Sequence, residues 1–183
     1  MPDNSYKKSY VIPGRDVPAM DAKFIRDSLA IALISLLKND GKIIDFSSGV
    51  VRSGLANADF AVGNATAQNW VTPALTANTV ATYINNALVN NKYAGFYGVC
   101  SIANPACASL RFAVGSTGGA TRGRYQLQQL YAELQSVGYF PDPIIYAPTE
   151  TVFVEVVPTA TVAAGEALPM LVLIAEPKGP FVS

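Results

Sequence analysis

The sequence predicts a mainly β protein: an antiparallel sandwich or barrel with an N-terminal helix and one or two short inserted helices. An α+β arrangement is the alternative. Three observations carry this expectation. From Tyr93 onward, aromatic and β-branched runs recur between proline and glycine breaks at about 8–12-residue spacing, as in short antiparallel strands. Between residues 20 and 38 the apolar side chains recur at helical spacing instead. Half of the 183 residues are apolar and only 14% are charged, which excludes a disordered chain and supplies a core without metal or disulfide.

Residues 1–19 contain Pro2, Pro13, Gly14 and Pro18, which interrupt any periodic pattern, while Tyr6, Tyr10, Val11 and Ile12 give apolar handles. An extended N-terminal arm is predicted, either frayed or laid on a neighbouring subunit, ahead of a single domain over 20–183. The helix at 20–38 aligns Phe24, Ile25, Leu29, Ala32, Leu33, Leu36 and Leu37. Asp21 suits its first turn, Lys38 its last, and Asn39-Asp40-Gly41 its stop. Ile31 and Ile34 widen the apolar stripe, which predicts packing on more than one side. Burial of each large aliphatic contributes roughly 1.5–3 kcal/mol, so the domain or its assembly depends on this helix. Its longest apolar run, Ser28 to Leu37, would span about 15 Å, half a bilayer core, so no membrane span is expected.

Lys42–Phe46 reads as a short strand. Val80, Tyr83, Ile84, Ala87 and Leu88 read as an amphipathic helix near 78–90. Tyr93–Ile102 and Ala108–Val114 read as strands around the turn Ala103-Asn104-Pro105. A glycine-rich loop follows at Gly115–Gly123. Leu127, Leu130, Tyr131, Leu134 and Val137 then mark a helix near 124–137 that Gly138 ends. Strands return at Ile144–Tyr146, Thr151–Val157, Ala160–Val162 and Met170–Ala175, with breaks that hold Pro141, Pro143, Pro148, Pro158, Gly165 and Pro169.

Histidine is absent, so Ser-His-Asp and Cys-His nucleophile systems and His-ligated zinc cannot be built from this chain alone. Two cysteines cannot make a four-cysteine zinc site, and the acidic residues are scattered without a DxD or ExxE cluster. No catalysis, cofactor or metal is therefore expected. The polar start MPDNSYKKSYVIPG is not followed by an apolar segment with a cleavage site, so no leader is expected.

The 13 basic and 13 acidic residues balance, which argues against a basic nucleic-acid coat. Their placement is uneven. Residues 60–91 carry no charge at all; residues 60–124 hold Lys92, Arg111, Arg122 and Arg124 with no acid, and residues 125–183 hold six acids and Lys178. Complementarity between neighbouring copies, basic middle to acidic last third, is the functional expectation. The long neutral stretch suits burial in an obligate interface, where charge is depleted.

Several residues are candidates for a site. Gly115 to Arg124 has the strand, glycine-rich turn and helix context in which backbone amides cradle phosphate, but it lacks the GK[ST] ending of a P-loop. Cys100 and Cys107 flank six residues, a spacing that admits a disulfide across a hairpin; their apolar surroundings favour buried free thiols. Trp70 either anchors a loop or fills a partner's pocket. Tyr6, Tyr10, Ile12, Trp70, Arg122 and Arg124 are the candidate assembly contacts.

The proline-broken arm, the β segments Cys107–Gly115, Thr151–Val157 and Leu168–Glu176, and the Pro-Lys-Gly-Pro tail together resemble bacteriophage virion structural proteins. The likeness is to single jelly-roll capsid and capsid-decoration subunits. It implies a jelly-roll-like barrel and a non-enzymatic subunit that self-associates, adds strands or arms to its neighbours and resides in the virion beside other shell proteins. Two alternatives stand beside it: a tail, fibre or adhesion module, and a small phosphate- or nucleotide-binding enzyme using the loop at 115–124.

Overall fold

The structure, a computed structural model, describes residues 10–61, 74–100, 107–116, 118–128, 130, 137–163 and 170–179. Within them lie β1 (Ile12–Pro13), the helix α1 (Ala19–Asn39), β2 (Gly49–Ser53), β3 (Ala81–Ala87), β4 (Tyr93–Cys100) and β5 (Cys107–Val114). The chain continues with β6 (Thr121–Gln126), β7 (Val137–Tyr146), β8 (Thr151–Pro158) and β9 (Met170–Pro177). One sheet runs β1-β7-β4-β9-β2 and the other β3-β8-β5-β6, and every pairing is antiparallel.

The pairs β2/β9, β3/β8, β4/β7 and β5/β6 nest inside one another, so the chain from β2 to β9 is one long antiparallel ribbon with its tip at the β5–β6 turn. When the ribbon rolls up, alternate pairs fall in opposite sheets, and β4/β9 and β5/β8 complete the ladders. This is the jelly-roll order. The predicted β sandwich with an N-terminal helix is what forms.

Two apolar layers hold it. Between the sheets, Phe96 of β4 meets Phe112 of β5 with ring centroids 5.3 Å apart, and Tyr146 and Phe140 of β7 close around them edge-on. On the outer face of the first sheet, Leu29, Leu33 and Leu37 of α1 pack on Tyr93, Tyr97 and Leu173. Gly95 of β4 admits the helix; a Cβ there would stand 3.0 Å from the Leu29 methyl groups. β4 therefore lies between two apolar layers, and seven of its eight residues are buried. That burial accounts within one chain for the lack of charge over 93–100.

Four expectations need correction. The segment 81–87 is a strand, not a helix. A bulge between Thr82 and Ile84 inserts a residue, so Tyr83 and Ile84 are both buried and the apolar spacing imitates a helix. The helix expected near 124–137 begins inside a strand, Thr121–Gln126; Gln128 and Leu130 are helical, and Val137 and Gly138 already belong to β7. The strand expected at Lys42–Phe46 starts later, at Gly49, because Asp45 nucleates a turn. Its carboxylate accepts from the Ser48 amide at 2.9 Å and from the Ser47 hydroxyl at 2.7 Å, bonds that hold it below its ordinary pKa. Finally, Pro141 and Pro143 do not break β7. They sit where Tyr97 alone faces four residues, Phe140 to Pro143, so the missing N–H groups fall in an interrupted ladder.

Candidate assembly surface

The basic middle and acidic last third do meet, but inside one chain. Arg111 donates to Glu155, its direct cross-strand partner on β8, at 2.6 Å. Lys92 bridges Asp59 at 2.9 Å and Glu176 at 2.7 Å, while Arg52 bonds Asp59 and reaches Glu176 at 3.1 Å. Arg122 donates to Glu150 at 2.6 Å and to the Ile145 carbonyl, with its guanidinium 4.8 Å from the Tyr146 ring centroid. Charges expected to pair between copies are thus paired within the ribbon. Arg124, exposed on the edge strand β6 opposite Arg111, makes no ion pair among the described residues.

Because Arg122 and Glu150 keep about a quarter of their side-chain surface in water, their pairing contributes modestly. A double-mutant cycle with Arg122→Ala and Glu150→Ala, read by urea unfolding, should give a coupling of about 0.5–1 kcal/mol.

The described part of the arm lies on its own domain. Ile12 and Pro13 pair with Tyr139 and Gly138 at the sheet edge, and Val11 is buried. Gly138 allows this approach, since a Cβ there would come within 2.5 Å of both Val11 and Leu130 side chains. Ile12 is accordingly half-buried against β7, not offered whole to a neighbour, whereas Tyr10 remains 49% exposed. Tyr6 and Trp70 lie outside the described residues.

Gly115 and Ser116, with Gly118 to Ala120, lie in the β5–β6 hairpin turn, closed by Gly119 N–H donating to the Ser116 carbonyl at 2.8 Å, and Thr121 to Gly123 already belong to β6. A strand follows it directly in place of the expected helix, so the amide cradle at a helix N-terminus is not formed. Cys100 and Cys107 are free thiols on strands of different sheets. Burial pushes the Cys107 thiol up to about 11, which keeps it protonated and unreactive at neutral pH.

What the described exterior does display is apolar side chains around α1. Met20, Phe24 and Ile31 are 83%, 72% and 66% exposed on the side of the helix turned away from the sheet. Past the helix end, Ile44 and Phe46 are also exposed, and the Lys38 ammonium lies 4.6 Å from the Phe46 ring centroid. The helix was expected to pack on more than one side; among the described residues it packs on one. Sequence reasoning missed Met20 and counted Phe24 with the buried stripe. The signal was present, because 20, 24 and 31 form a second series at helical spacing, offset from 29, 33 and 37.

A separate cleft of about 330 Å³ opens between β6 and the interrupted part of β7, lined by Arg122, Tyr125, Pro141, Asp142 and Pro143 with Ile144 and Ile145. Tyr125 stacks on Phe140 with centroids 3.9 Å apart. Burial, aided by the charge of Asp142, pushes the Tyr125 hydroxyl up to about 12. Arg122 is already committed to Glu150 and Ile145, which leaves Asp142 as the exposed charge at the cleft. Among the described residues no group of three or more Cys, Asp or Glu is placed to hold a metal, and no helix is long and apolar enough to cross a membrane.

The architecture is thus a jelly roll with a helix laid on one sheet. No family model and no curated protein matches the sequence. Among solved structures, a chain from Bacillus endospore appendages, described as a novel family of disulfide-linked pili, aligns with a TM-score of 0.29. The alignment has 12% identity and covers 72% of this chain and 86% of that one. A likeness of that size does not establish a shared fold.

Proposed function

We propose that this chain is a non-enzymatic structural subunit of a virus particle, a capsid or capsid-decoration protein that assembles with copies of itself and with other shell proteins. The observation that supports this most is the outward apolar side of α1. Single exposed apolar residues are ordinary on any protein, but three aligned on one helix, with two more past its end, form the kind of patch that marks a protein interface. A jelly roll occurs in capsid proteins and in lectins alike, so the surface and not the fold carries the proposal. The low charge of the chain is weaker support, since much of it serves the internal core. A tail, fibre or adhesion role would draw instead on the cleft at Asp142, and a phosphate-binding enzyme would need a cradle other than the segment 115–124.

Electron microscopy of the purified protein at micromolar concentration, alone and mixed with the particle it came from, tests the proposal. Ordered assemblies, or protein bound in register on the particle surface, are the expected result. A protein that remains monomeric and leaves the particle bare overturns it.

A further inference from the structure

Met20, Phe24 and Ile31 follow one another at intervals of four and seven, so they lie in one narrow stripe of α1, opposite Leu29, Leu33 and Leu37. Beside the stripe, Lys23 and Asp27 form an ion pair one turn apart, with 76% and 47% of their side-chain surfaces in water. We infer that this face of α1 docks on the same face of a second copy, the two helices running antiparallel about a two-fold axis beside Ile25 and Arg26. The inference rests on the assembly role proposed above and goes further by naming the partner and the register.

The face is self-complementary in that register. Antiparallel pairing brings Met20 of each copy onto Ile31 of the other, with the two Phe24 rings adjacent at the axis. On one flank it sets Lys23 of each copy opposite Asp27 of the other. A parallel two-fold pair would instead put the two Lys23–Asp27 pairs on opposite flanks, where neither reaches the other. The exchange needs no new charge to be buried, because the present Lys23–Asp27 pair is largely solvated. A two-fold contact also closes on itself, since each copy contributes the same patch. One helix face covers less than the roughly 800 Å² per partner of a stable complex, so this contact alone should be micromolar or weaker, to be reinforced by others in a larger assembly.

Sedimentation of the full chain across a concentration series provides the test, with circular dichroism to verify folding of each variant. The wild type should show a monomer–dimer equilibrium. Phe24→Glu, at a position 72% exposed, should stay folded and lose the dimer. Lys23→Asp should weaken it, by up to about fivefold for each of the two symmetry-related pairs, and Lys23→Asp combined with Asp27→Lys should restore it. A dimer that survives Phe24→Glu overturns the inference, as does a wild type that shows no dimer at millimolar concentration. Dimer loss in Phe24→Glu without rescue by the charge exchange overturns the antiparallel register. If particles form in the microscope whether or not Phe24 is replaced, the two-fold contact falls and the assembly role stands; if nothing assembles, both fall.

Discussion

Phe112→Ala should lower the unfolding free energy by about 3–5 kcal/mol, the largest effect expected of any single truncation in this core. Phe112 is fully buried and stands where the two sheets meet, with Phe96, Tyr125 and Phe140 all within 6.1 Å, centroid to centroid. The cost is high because the site cannot collapse. Its neighbours are aromatic rings fixed on three strands in two sheets, and Tyr125 is itself held flat on Phe140. For a chain of this size the melting temperature should fall by roughly 6–20 °C, at about 2–4 °C per kcal/mol. Phe112→Leu should cost clearly less. Calorimetry of the pair checks this: equal losses would mean that apolar volume, which leucine largely restores, does not set the cost.

The elements that could be read from the sequence are those whose local pattern and tertiary role agree. α1 is periodic over 21 residues, and Lys38 and the Asn-Asp-Gly stop mark its end. β8 and β9 are continuous β-branched and aliphatic runs because the sandwich buries their centres. β3 was hidden by its bulge, which replaces the period of two with one that imitates a helix. β6 was hidden by its composition: Gly123 and Tyr125 point inward and Arg122, Arg124 and Gln126 alternate with them, so a single large apolar residue marks the strand. The charges show the limit most plainly. The sequence displays a basic middle and an acidic last third, yet which Arg meets which Glu depends on how the ribbon rolls. Arg52 and Glu176, far apart in the chain, become neighbours only because β2 pairs with β9. The outward stripe of α1 was visible as a series of positions, but only the placement of the helix on the sheet divides those positions into a covered set and an open one.

That same charge network should be the principal acid-sensitive point of the fold. Asp59 is fully buried; one carboxylate oxygen takes Arg52 and Lys92 while the other accepts from the Ala56 amide at 2.6 Å. Asp59→Ala should therefore destabilise by about 2–4 kcal/mol, somewhat below the ~3–5 typical of a broken buried pair, because Glu176 remains to both cations. Glu176 sets the pH dependence. Burial alone would raise its carboxyl, but the hydrogen bonds from Lys92 and Arg52 outweigh that and hold it below the ordinary 4.5. Between those two values the unfolded chain binds the proton more readily than the folded one. The contribution of Glu176 is therefore complete above the unfolded value and is lost as pH falls through the folded value. Urea unfolding from pH 7 down to pH 3 should show a stability difference between wild type and Glu176→Gln that shrinks across this range. A difference that stays constant would mean that Glu176 does not titrate with folding.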